Sequence, residues 1–320
     1  MKEESEFNKS EICFIRPCLR QGDYWHNAMK KEGYNTVIPY KDYNLFMRII
    51  REIWFGLDLP KKNLWYNPDI KKNNAKIYFV KDPLMTVDFL LWLRREKKDA
   101  RILLDFDNRV GANINPDDLQ DSSIEKWSYD PDDCYQYNMK LKPNGYFDCY
   151  KIKEKKKIVY DIIFVGRDKG RAEKLFQLEN TLNELGLKTY FRISPNRSYL
   201  KFKKKYYRPV ITYTEYLELL AKSRAVLNLM PDGQTAITMR DYEAIFNGIK
   251  CITNNSAIKS FRLYHPSRFF IIGIDDINKI NDFLEKEFKT ISDEELDEYK
   301  LDKVIYKMVN TEKEFCDARN

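Results

Sequence analysis

The stretch Thr238-Met239-Arg240-Asp241-Tyr242-Glu243-Ala244-Ile245-Phe246-Asn247-Gly248 decides the fold. Thr238 precedes the apolar run and Asp241 follows three positions later, a capping-box start, while Gly248 sits where a helix stops. An apolar strand, Ala225 to Leu229, leads into this helix through a loop, and a second strand, Lys250 to Thr253, follows and ends in Asn254-Asn255. Strand, helix, strand is the unit of a parallel sheet. A helix so placed begins at a strand's carboxyl end. Its unpaired N–H groups and positive dipole end then face the crevice where open α/β sheets bind anions.

Arg240 and Glu243 are three apart, so they share a helix face near that end. A guanidinium suits phosphate oxygens, and a carboxylate with two acceptor oxygens suits a vicinal ribose diol. The plainer reading is an intrahelical ion pair worth a few tenths of a kcal/mol. A second segment favours the ligand. Tyr160 to Val165 is a near-continuous apolar run, as in a strand buried on both faces. It ends in Gly166-Arg167-Asp168-Lys169-Gly170-Arg171, ahead of a helical stretch, Ala172 to Leu185. Two glycines and three cations in one strand-to-helix turn match neither a Walker loop nor a dinucleotide fingerprint. Hydrogen bonds from such cations to a diphosphate are each worth roughly 1.5–3 kcal/mol, and without an anion the cations repel one another.

Taken in order, Tyr160 through Arg171, Tyr213-Thr214-Glu215-Tyr216-Leu217 with Ser223-Arg224-Ala225-Val226-Leu227, Met239-Arg240 through Glu243, Gly248, and Ile252-Thr253-Asn254-Asn255 resemble the carboxyl-terminal half of bacterial GT-B glycosyltransferases of lipopolysaccharide or capsule biosynthesis. The likeness covers residues from about Tyr160 to about Ile274 and, more loosely, Asp82 to Tyr137. It implies two Rossmann-like domains facing a cleft, with Arg240 on the donor diphosphate and Glu243 on the ribose. One departure stands out. The retaining pattern has two glutamates separated by seven residues, and the position seven before Glu243 is Ala236.

Length and composition agree with a folded two-domain chain. Its 320 residues are 43% hydrophobic and 14% aromatic, which argues against disorder. With 56 Lys+Arg against 49 Asp+Glu the net charge is +7, which permits attraction to anionic ligands without requiring it. No run approaches the roughly 18 apolar residues of a membrane-spanning helix. The acidic, polar stretch Met1 to Ser10 is unlike a signal peptide, so a cytoplasmic protein is expected. The six cysteines are scattered, and only His26 and His265 accompany them, so no metal site and no cofactor are expected.

In the first half, strands are expected at Ile12 to Ile15, Asn35 to Pro39, Ile77 to Val80 and Ile102 to Asp105. Helices are expected at Ala28 to Lys31, Tyr43 to Leu57 and Met85 to Lys97. The second-half strands are Tyr160 to Val165, Leu187 to Arg192, Ala225 to Leu229, Lys250 to Thr253 and Phe269 to Ile274. The charged run Lys151 to Lys157 marks the boundary. It divides the chain into an acceptor-side domain, residues 1–155, and a nucleotide-sugar domain, residues 156–320. By the resemblance, the last helix returns to the first domain.

Several segments compete for a role. Asp105-Phe106-Asp107 closes an apolar strand, and two carboxylates one residue apart can hold Mn²⁺ or Mg²⁺, as in the other glycosyltransferase fold, GT-A. Asp130-Pro131-Asp132-Asp133 reads as a turn. Asp23 and His26, in the loop after the first strand, are the candidates for the base that deprotonates an acceptor hydroxyl. Phe46 to Trp65 mixes aromatics, aliphatics and cations, and reads either as a buried interdomain helix or as a peripheral contact with an anionic membrane. Lys201 to Arg208 mixes aromatics with cations but carries no nucleic-acid motif, and a loop over the donor site fits it better.

The expectation is a hexosyltransferase that moves a sugar from a nucleotide-sugar donor, UDP-linked, to a hydroxyl of a glycan or lipid-linked glycan acceptor. Its donor site is Gly166, Arg167, Lys169, Arg171, Thr238, Arg240 and Glu243. The alternatives are a non-catalytic nucleotide-binding or scaffold protein of the same fold, and a metal-dependent GT-A enzyme using Asp105 and Asp107.

Overall fold

The computed structural model describes residues 8–17, 24–82, 86–106, 110, 114–154, 156–196, 204–231 and 234–310. The chain divides into two compact units, Met1–Lys142 with Met308–Asn320, and Pro143–Lys307. Each is an α/β layer structure around a parallel sheet.

The first unit runs β1 (Ile12–Ile15), α1 (Tyr24–Lys31), β2 (Asn35–Val37), α2 (Leu45–Gly56), α3 (Asp69–Lys72), β3 (Ile77–Lys81), α4 (Val87–Glu96), β4 (Arg101–Phe106), β5 (Ile124–Ser128), α5 (Pro131–Gln136) and β6 (Lys140–Leu141). Its described strands form one sheet, in the order β2-β1-β3-β4-β5-β6, and every pairing is parallel. Both faces are covered, which is why the strands read as continuous apolar runs. Cys13 and Ile15 join Tyr78, Val80, Ile102 and Leu104 under α4. On the other face Phe14 stacks on Phe79 at 4.8 Å and meets the edges of Trp25 and Tyr34.

The second unit runs β7 (Tyr160–Arg167), α6 (Ala172–Glu184), β8 (Thr189–Ser194), α7 (Tyr213–Leu220), β9 (Ser223–Asn228), α8 (Met239–Phe246), β10 (Lys250–Thr253), β11 (Phe269–Ile271), α9 (Ile280–Glu285), α10 (Asp293–Asp297) and the start of α11 (Leu301–Asn310), whose residues from Met308 belong to the first unit. The order is β11-β10-β9-β7-β8, again parallel throughout the described strands. Ile163, Val226, Cys251 and Phe269 face α7 and α8; Ile162, Phe164, Leu227 and Ile252 face α6 and α9. From β7 the chain goes to β8 on one side and then crosses to β9 on the other. The carboxyl ends of β7 and β9 therefore flank the topological switch point of this sheet.

The division falls at Lys142/Pro143, ahead of the charged run. Pro143 to Tyr150 already packs on the second unit: Tyr146 stacks on Phe246 at 4.6 Å and Asn144 bonds the Ile237 carbonyl at 3.0 Å. The described residues of the charged run, 151–154 and 156–157, therefore belong to that unit and do not divide the two. From Met308 the chain clusters with the first unit, where Arg101 donates to the carbonyls of Met308, at 3.2 Å, and Val309.

Two expectations are corrected. Asp130-Pro131-Asp132-Asp133 is a helix start: the Asp130 carboxylate caps the amides of Asp132 and Asp133, and Pro131 opens α5. The helix within Phe46 to Trp65 is not buried, since no residue of α2 is, and Leu45, Phe46, Ile49 and Ile53 are more than half exposed. Its apolar surroundings cover only its inner side. Among the described residues no helix is long and apolar enough to cross a membrane.

Candidate functional site

The cations converge on the switch point of the second unit, and backbone geometry explains how. β7 ends at Arg167 and the chain must turn at once into α6. Lys169 (φ 47°) and Gly170 (φ 80°) take left-handed conformations that make the turn that tight. Asp168 accepts the Ala172 amide at 2.9 Å and the Tyr207 hydroxyl at 2.6 Å, which fixes the start of α6 and brings the 204–208 segment against the turn. Burial opposes its negative charge, but those hydrogen bonds outweigh it and hold the carboxyl below the usual range. The acid in the turn is thus committed to the fold.

Arg171 leaves the turn and reaches across the switch point. Its guanidinium donates to the Leu229 carbonyl just past β9, to the Arg167 carbonyl at 2.7 Å and to the Asp168 carbonyl at 3.2 Å. Arg240, from the first turn of α8, donates to the Val165 carbonyl of β7 at 2.7 Å and the Leu227 carbonyl of β9 at 3.3 Å. Phe164 seats both: its ring lies 5.4 Å from the Arg171 guanidinium and 5.6 Å from that of Arg240. Gly166 leaves room for that ring, since a Cβ there would come within 3.1 Å of Phe164 Cζ. Each guanidinium carries five N–H groups, so bonds to strand-end carbonyls fix its plane without exhausting its donors.

The electrostatic consequence is a cluster of like charge. Burial, and then Arg171, Arg167 and Arg240, push the Lys169 ammonium below its usual range. Burial and Arg240 push Arg171 down to about 10. Arg167 is more peripheral and donates to the Asn196 carbonyl at 2.8 Å, while Asn196 accepts the Lys169 amide at 2.8 Å. Groups that are harder to protonate than usual because of their neighbours gain from a bound anion.

Thr238 caps α8 in a capping box with Asp241. Asn228, at the end of β9, donates to the Thr238 hydroxyl and to Asp241 Oδ1, both at 2.9 Å. This tie locks the start of α8, and with it Arg240, to the strand end. Sequence reasoning missed Asn228; the available signal was an amide closing an apolar strand ten residues before a capping threonine. Asn254 and Asn255 hold the intervening loop, through Met230 and through the carbonyls of Thr235 and Ala236.

Glu243 stands behind Arg240. It is 5% exposed, and both its oxygens are engaged: Tyr213 donates to Oε1 at 3.0 Å and Tyr216 to Oε2 at 2.6 Å. Burial pushes its carboxyl up, against Arg240 and the two tyrosines, which favour the charge. The Tyr216 ring lies 5.5 Å from the Arg240 guanidinium. A ribose contact at Glu243 would share oxygens that the two tyrosine hydroxyls already hold. As it stands, the carboxylate supports Arg240.

The first-unit candidates fare differently. Asp23 lies outside the described residues, as does Asp107. His26 is the third residue of α1 and not part of a loop; its Nε2 is 3.0 Å from the Arg16 carbonyl. A carbonyl only accepts, so Nε2 is the donor in this bond. Of the pair in the metal alternative only Asp105 is described. It is buried between two buried lysines, with Lys81 at 2.5 Å from Oδ2 and Lys142 at 3.1 Å from Oδ1. A carboxylate between two ammonium groups has its charge matched by the protein itself. Among the described residues no cluster of His, Cys, Asp or Glu could hold a metal ion.

No protein-family model matches this chain, and no curated protein matches it. Among solved structures, it is similar to UDP-GlcNAc 2-epimerase from Methanocaldococcus jannaschii, with a TM-score of 0.46 and 13% identity over 93% of this chain and 98% of that one.

Proposed function

We propose that the protein is a glycosyltransferase of the GT-B type that takes its sugar from a nucleoside diphosphate donor, UDP-linked, and passes it to a hydroxyl of a glycan or lipid-linked glycan. One observation carries the reading: Lys169 and Arg171 sit beside Arg240 at the switch point of a parallel sheet, where burial and the neighbouring cations hold both below their usual ranges, and the acids described beside them are committed to the fold. A diphosphate there would relieve the repulsion and accept charge-assisted hydrogen bonds. As the glycosidic bond breaks, negative charge grows on the leaving diphosphate, and fixed cations stabilise that charge more than the ground state. The acceptor and its base are assigned to the first unit, with Asp23 or His26 as the base.

Calorimetric titration of the protein with UDP, with uridine and with UDP-sugars tests the reading. UDP should bind and uridine should not. Arg240→Ala, in a protein still folded by circular dichroism, should weaken UDP by about 1.5–3 kcal/mol. A folded protein with no affinity for any nucleoside diphosphate sinks the proposal. Binding of a donor that is never turned over with any hydroxyl acceptor leaves the non-catalytic scaffold reading in its place.

A further inference from the structure

The strands β7 and β9 part before they end. The last residues they pair are Ile163 and Val226, while β7 stays paired with β8 as far as Arg167 and Ser194. Two guanidinium groups bridge the two chains beyond that point. Arg240 joins the carbonyls of Val165 and Leu227, and Arg171 joins those of Arg167 and Leu229, two residues further along each chain. Two residues of extended chain advance about 6.6 Å, so the arginines stand as successive rungs in one crevice. Among the described residues Arg171 gives three of its five N–H groups to carbonyls and Arg240 two, which leaves donors on both rungs.

One side chain serves both rungs. The Phe164 ring lies 5.4 Å from the Arg171 guanidinium and 5.6 Å from that of Arg240. The arginines reach it from opposite faces of the sheet: Arg171 caps α6, on the face where Phe164 packs, and Arg240 comes from α8 on the other. At 1% exposure the ring has little room to turn aside, and its Cζ leans towards Gly166 at the strand's carboxyl end. The charge of Arg240 opposes that of Arg171, which favours spreading the two apart. A ring attracts cations through the negative charge of its face, so a buried ring beside both resists that spreading. One rung has donors enough for one phosphate group, and two linked phosphates can meet both.

Given a diphosphate among these cations, as proposed above, we infer that Phe164 is a positioning residue: its ring holds the two guanidinium groups at a fixed interval, and that interval makes the site select two linked phosphates over one. Calorimetric titration of the full chain with inorganic pyrophosphate and with inorganic phosphate, at one pH and ionic strength, tests it. The wild type should prefer pyrophosphate about tenfold or more, the worth of charged hydrogen bonds to a second phosphate. Phe164→Leu keeps every charge and an apolar core. In a protein still folded by circular dichroism it should lower pyrophosphate affinity about tenfold and leave phosphate affinity within about threefold. Leu182→Ala hollows the same core at the far end of α6 and should leave the ratio of the two affinities unchanged. Gly166→Ala, whose new methyl group would meet Phe164 Cζ at 3.1 Å, should lower the ratio in the wild type and lower it no further in Phe164→Leu. If Phe164→Leu fails to fold, Gly166→Ala alone decides. A ratio that neither variant changes, or that Leu182→Ala lowers as much, overturns the inference. A folded wild type that binds neither anion overturns it together with the diphosphate reading. Selection of pyrophosphate through Phe164 by a protein with no affinity for UDP upholds the positioning role and sinks the donor reading alone.

Discussion

At the scale of single residues, the site is governed by where charge is and is not matched. Lys169 illustrates this. Its burial and three neighbouring cations depress its ammonium. A diphosphate bound beside it would pull it back towards the ordinary lysine value of about 10.4. Binding therefore takes up protons in the window between the two, and affinity, full below the depressed value, falls as pH rises through it. Calorimetry of UDP binding near the top of that window, in two buffers of different ionisation enthalpy, should register proton uptake that Lys169→Met abolishes. Uptake unchanged in that variant would place the ammonium away from the diphosphate. Glu243 is the contrary case, a charge matched from within. Because both its oxygens receive tyrosine hydroxyls, Glu243→Gln should cost about 1–3 kcal/mol of fold stability in urea. Any change in UDP affinity should be the same for the dideoxy nucleotide. A loss confined to the ribose-bearing ligand would mark the carboxylate as a ribose contact. The sequence put Arg240 and Glu243 on one helix face, which was legible from their spacing. It could not say that Tyr213 and Tyr216, from a different helix, would close over the carboxylate, because that depends on how α7 packs on α8.

At the scale of elements, the site works because strand ends and helix starts are tied together by side chains. Asn228 closes β9 and holds both partners of the α8 capping box, so α8 cannot shift without breaking a buried bond. Asn228→Ala leaves the buried Asp241 short of a donor and should lower stability by about 1–3 kcal/mol. Since α8 carries Arg240, UDP affinity should fall as well, although Asn228 itself bonds the cap and not the arginine. Urea melts and calorimetry on the same preparation check the pair of effects; a stability loss with full UDP affinity would show that the tie does not position Arg240. Most of these elements were legible beforehand. β1, β10 and the body of β7 are where their apolar runs put them, because strands buried on both faces leave a plain signal. β5 and β6 were not. Ile124 to Ser128 carries Glu125 and Lys126 in its middle, and only the partners Arg101 and Lys140, brought by neighbouring strands, make that glutamate tolerable there. α5 was missed for a related reason: Asp130 and Pro131 start a short helix as readily as they start a turn.

At the scale of the whole molecule, two sheets of the same class differ in what their carboxyl ends hold. The second unit gathers cations whose described acidic neighbours are already spent on the fold. The first buries a carboxylate between two lysines. That contrast separates the two routes by which such a protein can neutralise a diphosphate, fixed cations or a metal held by Asp105. If Asp105 is the internal counter-charge of Lys81 and Lys142, removing it strands two buried ammonium groups. Asp105→Ala should then cost about 3–5 kcal/mol of stability. UDP binding to the second unit should be unchanged wherever the protein remains folded, and sugar transfer by the wild type should survive EDTA. If Asp105 instead serves a metal, the balance reverses: the substitution should be mild for the metal-free fold, EDTA should abolish transfer, and Mn²⁺ should restore it. Urea denaturation of the variant, beside transfer assays with and without chelator, distinguishes the cases, because an internal counter-charge is needed for folding and a metal ligand for turnover.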